Sequence, residues 1–453
     1  MKRLIEKYFQ QWKTNPKRKP LILRGARQVG KTYTVREFSK GNFQYFLEIN
    51  LEQNKELLPL FENKNPQNII NELSILFNTP IIPGKTLLFI DEIQKSQSAI
   101  EVLRYFYEQL PNLHIIAAGS LLDHTLNEMK YAMPVGRVEF AYMYPLNFKE
   151  FLQSLKEIKL IELIDNFSFD NPFSKLIHHK IKEYLRLYFF IGGMPEAVDT
   201  YNSTHNLIEV EKIHSNILTS LQHDFAKYGS RKQQDYLRDC LHYSANNIGR
   251  KVKYVNIDRS VQSSHLQLAL QKLEMSRIVH LIKKTKSTNI PITQYIDHYT
   301  FKPVFLDIGL ANHLAQIKLI DIDKLITDYE GALAEQFVGQ ELIASSPFYT
   351  EIKPFYWVRE AKNSNAEIDY LIQNRNQIYP LEVKAGKTGT LKSMHVFLAE
   401  KHKETGIRLN LDTPSYAKSL SSSVRINKET KELNYKLISL PLYFAGWITN
   451  MDI

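Results

Sequence analysis

The stretch Gly25-Ala26-Arg27-Gln28-Val29-Gly30-Lys31-Thr32 constrains what this chain can fold into more than any other. Leu21-Ile22-Leu23 just upstream reads as a short buried strand, and Thr32 to Phe38 reads as the start of a helix. A GxxxxGK[ST] run between a strand and a helix predicts a loop whose own N–H groups wrap an anion. Gly25 and Gly30 allow this because they can take backbone angles that a β-carbon forbids. The helix N-terminus adds partial positive charge behind the phosphates. All eight residues from Gly25 to Thr32 are therefore expected to line a nucleotide. Lys31 reaches the β- and γ-phosphates, and Thr32 offers its hydroxyl to Mg²⁺.

Thr86-Leu-Leu-Phe-Ile-Asp91-Glu92 ends a run of four apolar residues in two acids. That is the pattern of a buried parallel strand with carboxylates at its C-terminal edge, where α/β sheets bind ligands. Asp91 is expected to hold Mg²⁺, usually through water, and Glu92 to polarise the water that attacks the γ-phosphate. His114-Ile-Ile-Ala-Ala-Gly119 reads as another buried strand and is followed by Ser120. With a strand near Gln44 to Ile49 and one beginning at Gly136-Arg137-Val138-Glu139-Phe140, the sheet has five strands. This order resembles that of AAA+-type ATPases. The resemblance implies that the Ser120 strand lies between the other two and that Ser120 senses the γ-phosphate. Arg137 stays open between a finger acting in trans, a γ-phosphate sensor and a structural salt bridge.

A length of 453 residues suggests roughly two to four domains. The net charge of +10 and pI near 9.2 favour a polyanionic partner, although a generally basic protein with Lys-rich faces fits them equally. Cys240 is the single cysteine, which excludes an intramolecular disulfide and a zinc ribbon. The N-terminus lacks the apolar core of a signal peptide, and no stretch approaches the roughly 18 apolar residues of a membrane span. The expectation is a soluble, cytoplasmic protein with no membrane partner.

Residues 145–225 are dominated by helical periodicity, broken at Gly192-Gly193-Met194-Pro195, a rigid turn where a helix must end. Residues 232–286 have the outline of a winged helix, with Ile278-Val-His-Leu-Ile-Lys-Lys as its wing strand. This segment carries Arg250, Lys251, Lys253, Arg277, Lys283, Lys284 and Lys286, so contact with DNA and a plain packing role both stand.

A second constellation lies near the C-terminus. Glu367-Ile-Asp369-Tyr-Leu-Ile and Pro380-Leu-Glu382-Val-Lys384 alternate like strands and flank a turn at Asn374 to Gln377. A turn centred between Arg375 and Asn376 puts Asp369 opposite Glu382, with Lys384 on the same face as Glu382. Opposed carboxylates repel unless a cation sits between them. This is the PD-(D/E)xK arrangement of restriction-endonuclease-like domains, in which Asp369 and Glu382 hold Mg²⁺ and Lys384 orients or activates water. Glu335, on the preceding helix, would complete the metal site. A nuclease fold kept for binding without cleavage fits the same residues.

Together these residues resemble a prokaryotic family of AAA+-type P-loop ATPases fused to a C-terminal domain of unknown function. The resemblance rests on Gly25 to Thr32, Phe89-Ile-Asp91-Glu92-Ile-Gln94, Ala118-Gly-Ser120, Gly136-Arg137, Tyr144-Pro-Leu, Gly192-Gly-Met-Pro195 and the Asp369, Glu382, Lys384 set. It implies that the Gly-Gly-Met-Pro turn resembles the GxP element by which signal-transducing ATPases sense nucleotide state. The expected architecture is α/β throughout, in four segments. Residues 1–145 form a P-loop NTPase domain and 146–230 a helical connector. A winged-helix-like part spans 231–290, and a restriction-endonuclease-like α/β domain spans 291–453. The expected ligands are ATP and Mg²⁺. Two function classes compete: an ATPase coupled to a nuclease acting on nucleic acid, and a nucleotide-switched protein whose C-terminal domain binds DNA or protein without cutting. A homo-oligomer or partner protein stays open.

Overall fold

Apolar runs such as Leu21–Arg24 and Thr86–Asp91 can be buried on both faces only in a covered parallel sheet, and that is where they lie. The computed structural model describes residues 1–120, 122–128, 136–287, 289–317, 322–360, 366–385, 390–426 and 429–451. These form two units. The first comprises Met1–Pro145 together with Met275–Arg277 and Pro347–Glu351, and the second comprises the remainder.

The first unit holds five strands: β1 (Leu21–Arg24), β2 (Tyr45–Asn50), β3 (Thr86–Asp91), β4 (His114–Gly119) and β5 (Glu139–Tyr142). Their order is β2-β3-β4-β1-β5, and every pairing is parallel. β4 thus lies between β1 and β3, so their C-terminal ends share one edge of the sheet. Ile22, Ile49, Leu88, Ile90 and Ala117 join Leu73, Val102 and Phe106 in one apolar core. Near the N-terminus a helix, Ile5–Thr14, buries Ile5, Phe9 and Trp12.

The second unit begins with helices. Lys175–Ile191 stops at Gly192, whose φ is 70°, and Pro195 starts the next helix, Pro195–Thr204. The turn between them is clamped: the Gly193 N–H donates to Asp307 Oδ2 at 2.6 Å, and the Leu146 N–H donates to the Gly193 carbonyl at 2.7 Å. A β-carbon on Gly193 would lie 1.9 Å from the Leu146 oxygen, so only glycine fits.

Among the described residues, nine strands then form one mixed sheet. They are β6 (Val252–Lys253), β7 (Val279–Thr285), β8 (Ile296–Phe305), β9 (Phe355–Val358), β10 (Glu367–Asn374), β11 (Gln377–Val383), β12 (Thr405–Asn410), β13 (Ser415–Ile426) and β14 (Glu429–Pro441). Their order is β13-β14-β12-β11-β10-β9-β7-β8-β6. The strand read as a wing is β7, and it pairs antiparallel with β8 and parallel with β9. The segment expected to form a separate part up to residue 290 therefore shares its sheet with the C-terminal segment. Backbone ladders decide this, and they link stretches whose local patterns look independent. No described helix is long and apolar enough to cross a membrane.

Candidate functional site

In the first unit, β1 runs into the Gly25 to Thr32 loop and then into the helix Lys31–Ser39. Gly30 has a φ of 91°, and a β-carbon on Gly25 would lie 2.3 Å from the Met143 carbonyl oxygen. Both glycines are thus required by geometry. Ala26 and Val29 are buried, Arg27 is half-buried and Gln28 is exposed. The Lys31 ammonium folds back onto the loop and donates to the Gly25 carbonyl at 2.8 Å and the Ala26 carbonyl at 2.7 Å. Burial pulls its pKa down to about 8, against the pull of Glu92 and Asp91. A cation resting on neutral carbonyls in a dry loop is poised for an anion.

The Thr32 hydroxyl donates to Asp91 Oδ2 at 2.8 Å, which joins the P-loop helix to the end of β3. Burial raises the Asp91 pKa, with the Thr32 and Glu92 N–H hydrogen bonds opposing. A hydroxyl and a buried carboxylate meeting beside a lysine are the oxygen donors Mg²⁺ takes, so these residues fit that ion. Glu92 follows with a φ of 53°, and its carboxylate accepts a hydrogen bond from the Gln94 amide. Gln94 in turn packs on Gly119, where a β-carbon would lie 2.0 Å from its oxygen. The general-base candidate is therefore held by a side chain wedged against the strand that leads to Ser120. Ser120 itself is half-buried directly after β4.

Arg137 pairs with Glu108 through Nε at 2.9 Å, and both side chains lie partly in solvent. Sequence reasoning missed a more buried arginine pair. Arg24, the last residue of β1, pairs with Asp123, whose other oxygen takes Arg277 at 2.9 Å. Arg277 also reaches Glu351 at 3.0 Å and lies over the Tyr142 ring with its centre 5.0 Å away. It is close enough to Lys31 to depress the lysine's pKa.

That pairing changes the reading of the basic segment. Arg277 is buried, Lys251 pairs with Glu367 at 2.8 Å, and Lys284 and Lys286 pair with Glu360 at 2.8 and 2.9 Å. Much of the positive charge counted toward DNA is thus met within the chain.

In the second unit, the β10–β11 hairpin has the expected register. Asn374 faces Gln377 and Tyr370 faces Leu381, and the paired register ends there, one residue short of Asp369 and Glu382. Lys384 Nζ lies 2.6 Å from Glu382 Oε1. Asp369 Oδ2 accepts from the Val383 N–H at 2.8 Å. Glu335 enters from the helix Ile322–Ala344. Asp369, Glu335 and Glu382 therefore converge, and burial pushes the pKa of Glu335 and of Glu382 up, with Asp369 adding to both.

The group between the acids is a lysine absent from the expected set. Lys302 of β8 is 1% exposed. Its ammonium lies 3.0 Å from Glu335 Oε2, 2.7 Å from Glu367 Oε1 and 3.4 Å from Asp369 Oδ1. Among the described residues, no group of three His, Cys, Asp or Glu side chains is arranged to hold a metal ion. The signal for Lys302 was a lone charge inside an apolar, strand-like run, Phe301-Lys-Pro-Val-Phe-Leu.

Residues 17–152 match the family model of an AAA domain, so the first unit carries a P-loop ATPase domain, and the match supports ATP binding. Residues 182–321 and 330–435 each match a domain of unknown function, DUF8612 and DUF4143. An uncharacterized protein of Methanocaldococcus jannaschii is 25% identical over 230 residues, which cover 46% of this chain and 45% of that protein. This chain thus spans under half the length of that relative. Among solved structures, the ORC2 protein of Aeropyrum pernix, in ADPNP–ADP complexes, aligns with a TM-score of 0.35 and 12% identity, covering 73% of this chain and 95% of that one. PCH-2 of C. elegans aligns at 0.27 and 10%, covering 45% and 62%.

Proposed function

We propose that this protein is a Mg²⁺-dependent ATPase that hydrolyses ATP to ADP and phosphate, and that nucleotide state switches a C-terminal nuclease-like domain. The observation that carries the reading is the Thr32–Asp91 hydrogen bond beside Lys31. It sets the hydroxyl, carboxylate and ammonium of a phosphoryl-transfer site around one loop. When bound, Mg²⁺ would neutralise charge developing on the β- and γ-phosphates. Thr32 and Asp91 would hold the ion, and Lys31 would leave its carbonyls for the phosphates. Glu92 would release Gln94 to accept a proton from water, Ser120 would sense the γ-phosphate, and Arg137 would serve as a finger only by leaving Glu108. Clamping of the Gly193 turn by Asp307 supports its use as a switch element.

For the C-terminal domain, the non-cleaving reading is favoured, because Lys302 lies among the acids that a nuclease would need for Mg²⁺. The cleaving reading keeps its support from Asp369 and Glu382 on the paired strands β10 and β11, with Lys384 beside Glu382. Nucleic acid and a protein partner are both in scope for this domain.

The test compares wild type with Lys31→Ala and Asp369→Ala for ATP hydrolysis and for Mg²⁺-dependent cutting of plasmid and single-stranded DNA. Hydrolysis lost only in Lys31→Ala is expected. If wild type neither binds nor hydrolyses ATP, the reading fails.

A further inference from the structure

We propose that Lys302 is a built-in counter-ion that takes the place of a divalent cation among Glu335, Glu367 and Asp369, with Glu382 compensated by Lys384 beside them. The inference rests on reading Asp369, Glu382 and Lys384 as a nuclease-like arrangement, and it concerns what that arrangement binds.

The stoichiometry is the first argument. An ammonium has three protons, and Lys302 faces three carboxylates drawn from the helix Ile322–Ala344 and from β10. The Tyr356 ring covers it, with its centre 5.5 Å from Nζ. The outer oxygens are also engaged: Glu367 Oε2 takes Lys251 at 2.8 Å, and Asp369 Oδ2 takes the Val383 N–H.

The charge balance is the second argument. Four carboxylates face three ammoniums, those of Lys302, Lys384 and Lys251. The set is thus within one charge of balance without a metal ion. Glu382 is held through Oε1 by Lys384, while its Oε2 is buried with no hydrogen bond from the described residues. A divalent ion added to this set would leave buried positive charge, which a low-dielectric interior resists. Metal entry therefore requires Lys302 to leave, and Lys302 is buried in the middle of a strand.

The full chain, freed of nucleotide and metal, is melted and titrated with Mn²⁺ alongside Asp369→Asn, Lys302→Met and Lys302→Met/Asp369→Asn. Wild type and Asp369→Asn should respond to Mn²⁺ identically. Lys302→Met should melt well below wild type in chelator and recover most of the difference in millimolar Mn²⁺, a recovery absent from the double variant. Lys302→Arg, which keeps the charge, should fold and ignore Mn²⁺; it and the wild-type arm decide the matter if Lys302→Met does not fold. Mn²⁺ binding by wild type that is lost in Asp369→Asn overturns the proposal, as does a folded Lys302→Met with no Mn²⁺ response. Mn²⁺ binding by Lys302→Met without DNA cutting supports the proposal and removes the cleaving reading. Cutting by wild type that is lost in Asp369→Asn does the reverse.

Discussion

The two lysine–carboxylate clusters of this protein have similar ingredients and opposite electrostatics. At the P-loop, Lys31 rests on two carbonyl oxygens, while Asp91 is held by a hydroxyl and Glu92 by an amide. Around Lys302, each acid already faces an ammonium. The first site keeps opposite charges on neutral partners and so has binding energy left for a ligand. The second has spent its charges on one another. Residue types alone do not separate a site awaiting a ligand from one already satisfied; the partners of each charge do.

The sharpest way to break the comparison is to remove each lysine. Lys302→Met leaves buried carboxylates uncompensated and should cost about 3–5 kcal/mol of stability in chelator, measured by denaturant unfolding. Lys31→Ala removes a buried cation that sits on neutral carbonyls, so the fold should be unharmed while ATP hydrolysis falls by roughly 10²–10³-fold. Equal stability losses would show that the sites are alike after all.

A proton measurement sharpens the P-loop half. Burial holds Lys31 at about 8, and phosphates should raise it. ADP binding above pH 8 should therefore take up a fraction of a proton, seen as a dependence of the binding heat on buffer ionisation, and Lys31→Ala should abolish the uptake.

The second unit supplies a pH test unrelated to either lysine. Glu341 is fully buried, where it accepts from the Phe148 N–H and faces Tyr188 and Glu150. Burial pushes its pKa from 4.5 to about 8. The folded protein thus holds this proton more tightly than the unfolded chain. The stability it contributes is fully present below pH 4.5 and is lost as pH rises through about 8. Glu341→Gln should reduce the fall in melting temperature between pH 5 and 9, leaving a remaining drop of the same sign from Asp307, Glu335 and Glu382, which burial also raises.

The smallest effect concerns Arg137. Its pair with Glu108 is solvent-exposed, so Arg137→Ala should leave melting unchanged. A loss of hydrolysis that depends on protein concentration would mark a finger acting in trans, and unchanged hydrolysis a surface ion pair.

Contiguous features were legible. The P-loop, the acidic strand end and the β10–β11 hairpin follow from spacing of two residues per strand face or from a motif within one loop, and the placement of β4 from the resemblance to AAA+-type ATPases. Arg277 misled for a physical reason: a basic residue beside a strand looks solvated until its acids are known, and Asp123 and Glu351 come from remote stretches. β7 misled likewise, because its ladder partners lie beyond the expected boundary.

By itself, then, the sequence determined that a strand, a glycine-bearing loop and a helix would follow one another at Leu21 to Ser39, since backbone sterics and a helix end act over a few residues. Only the tertiary structure decided which cation sits among the C-terminal acids. Lys302 meets Glu335 and Asp369 across 33 and 67 residues of chain, and such a pairing exists only once the sheet and its helix have closed around it.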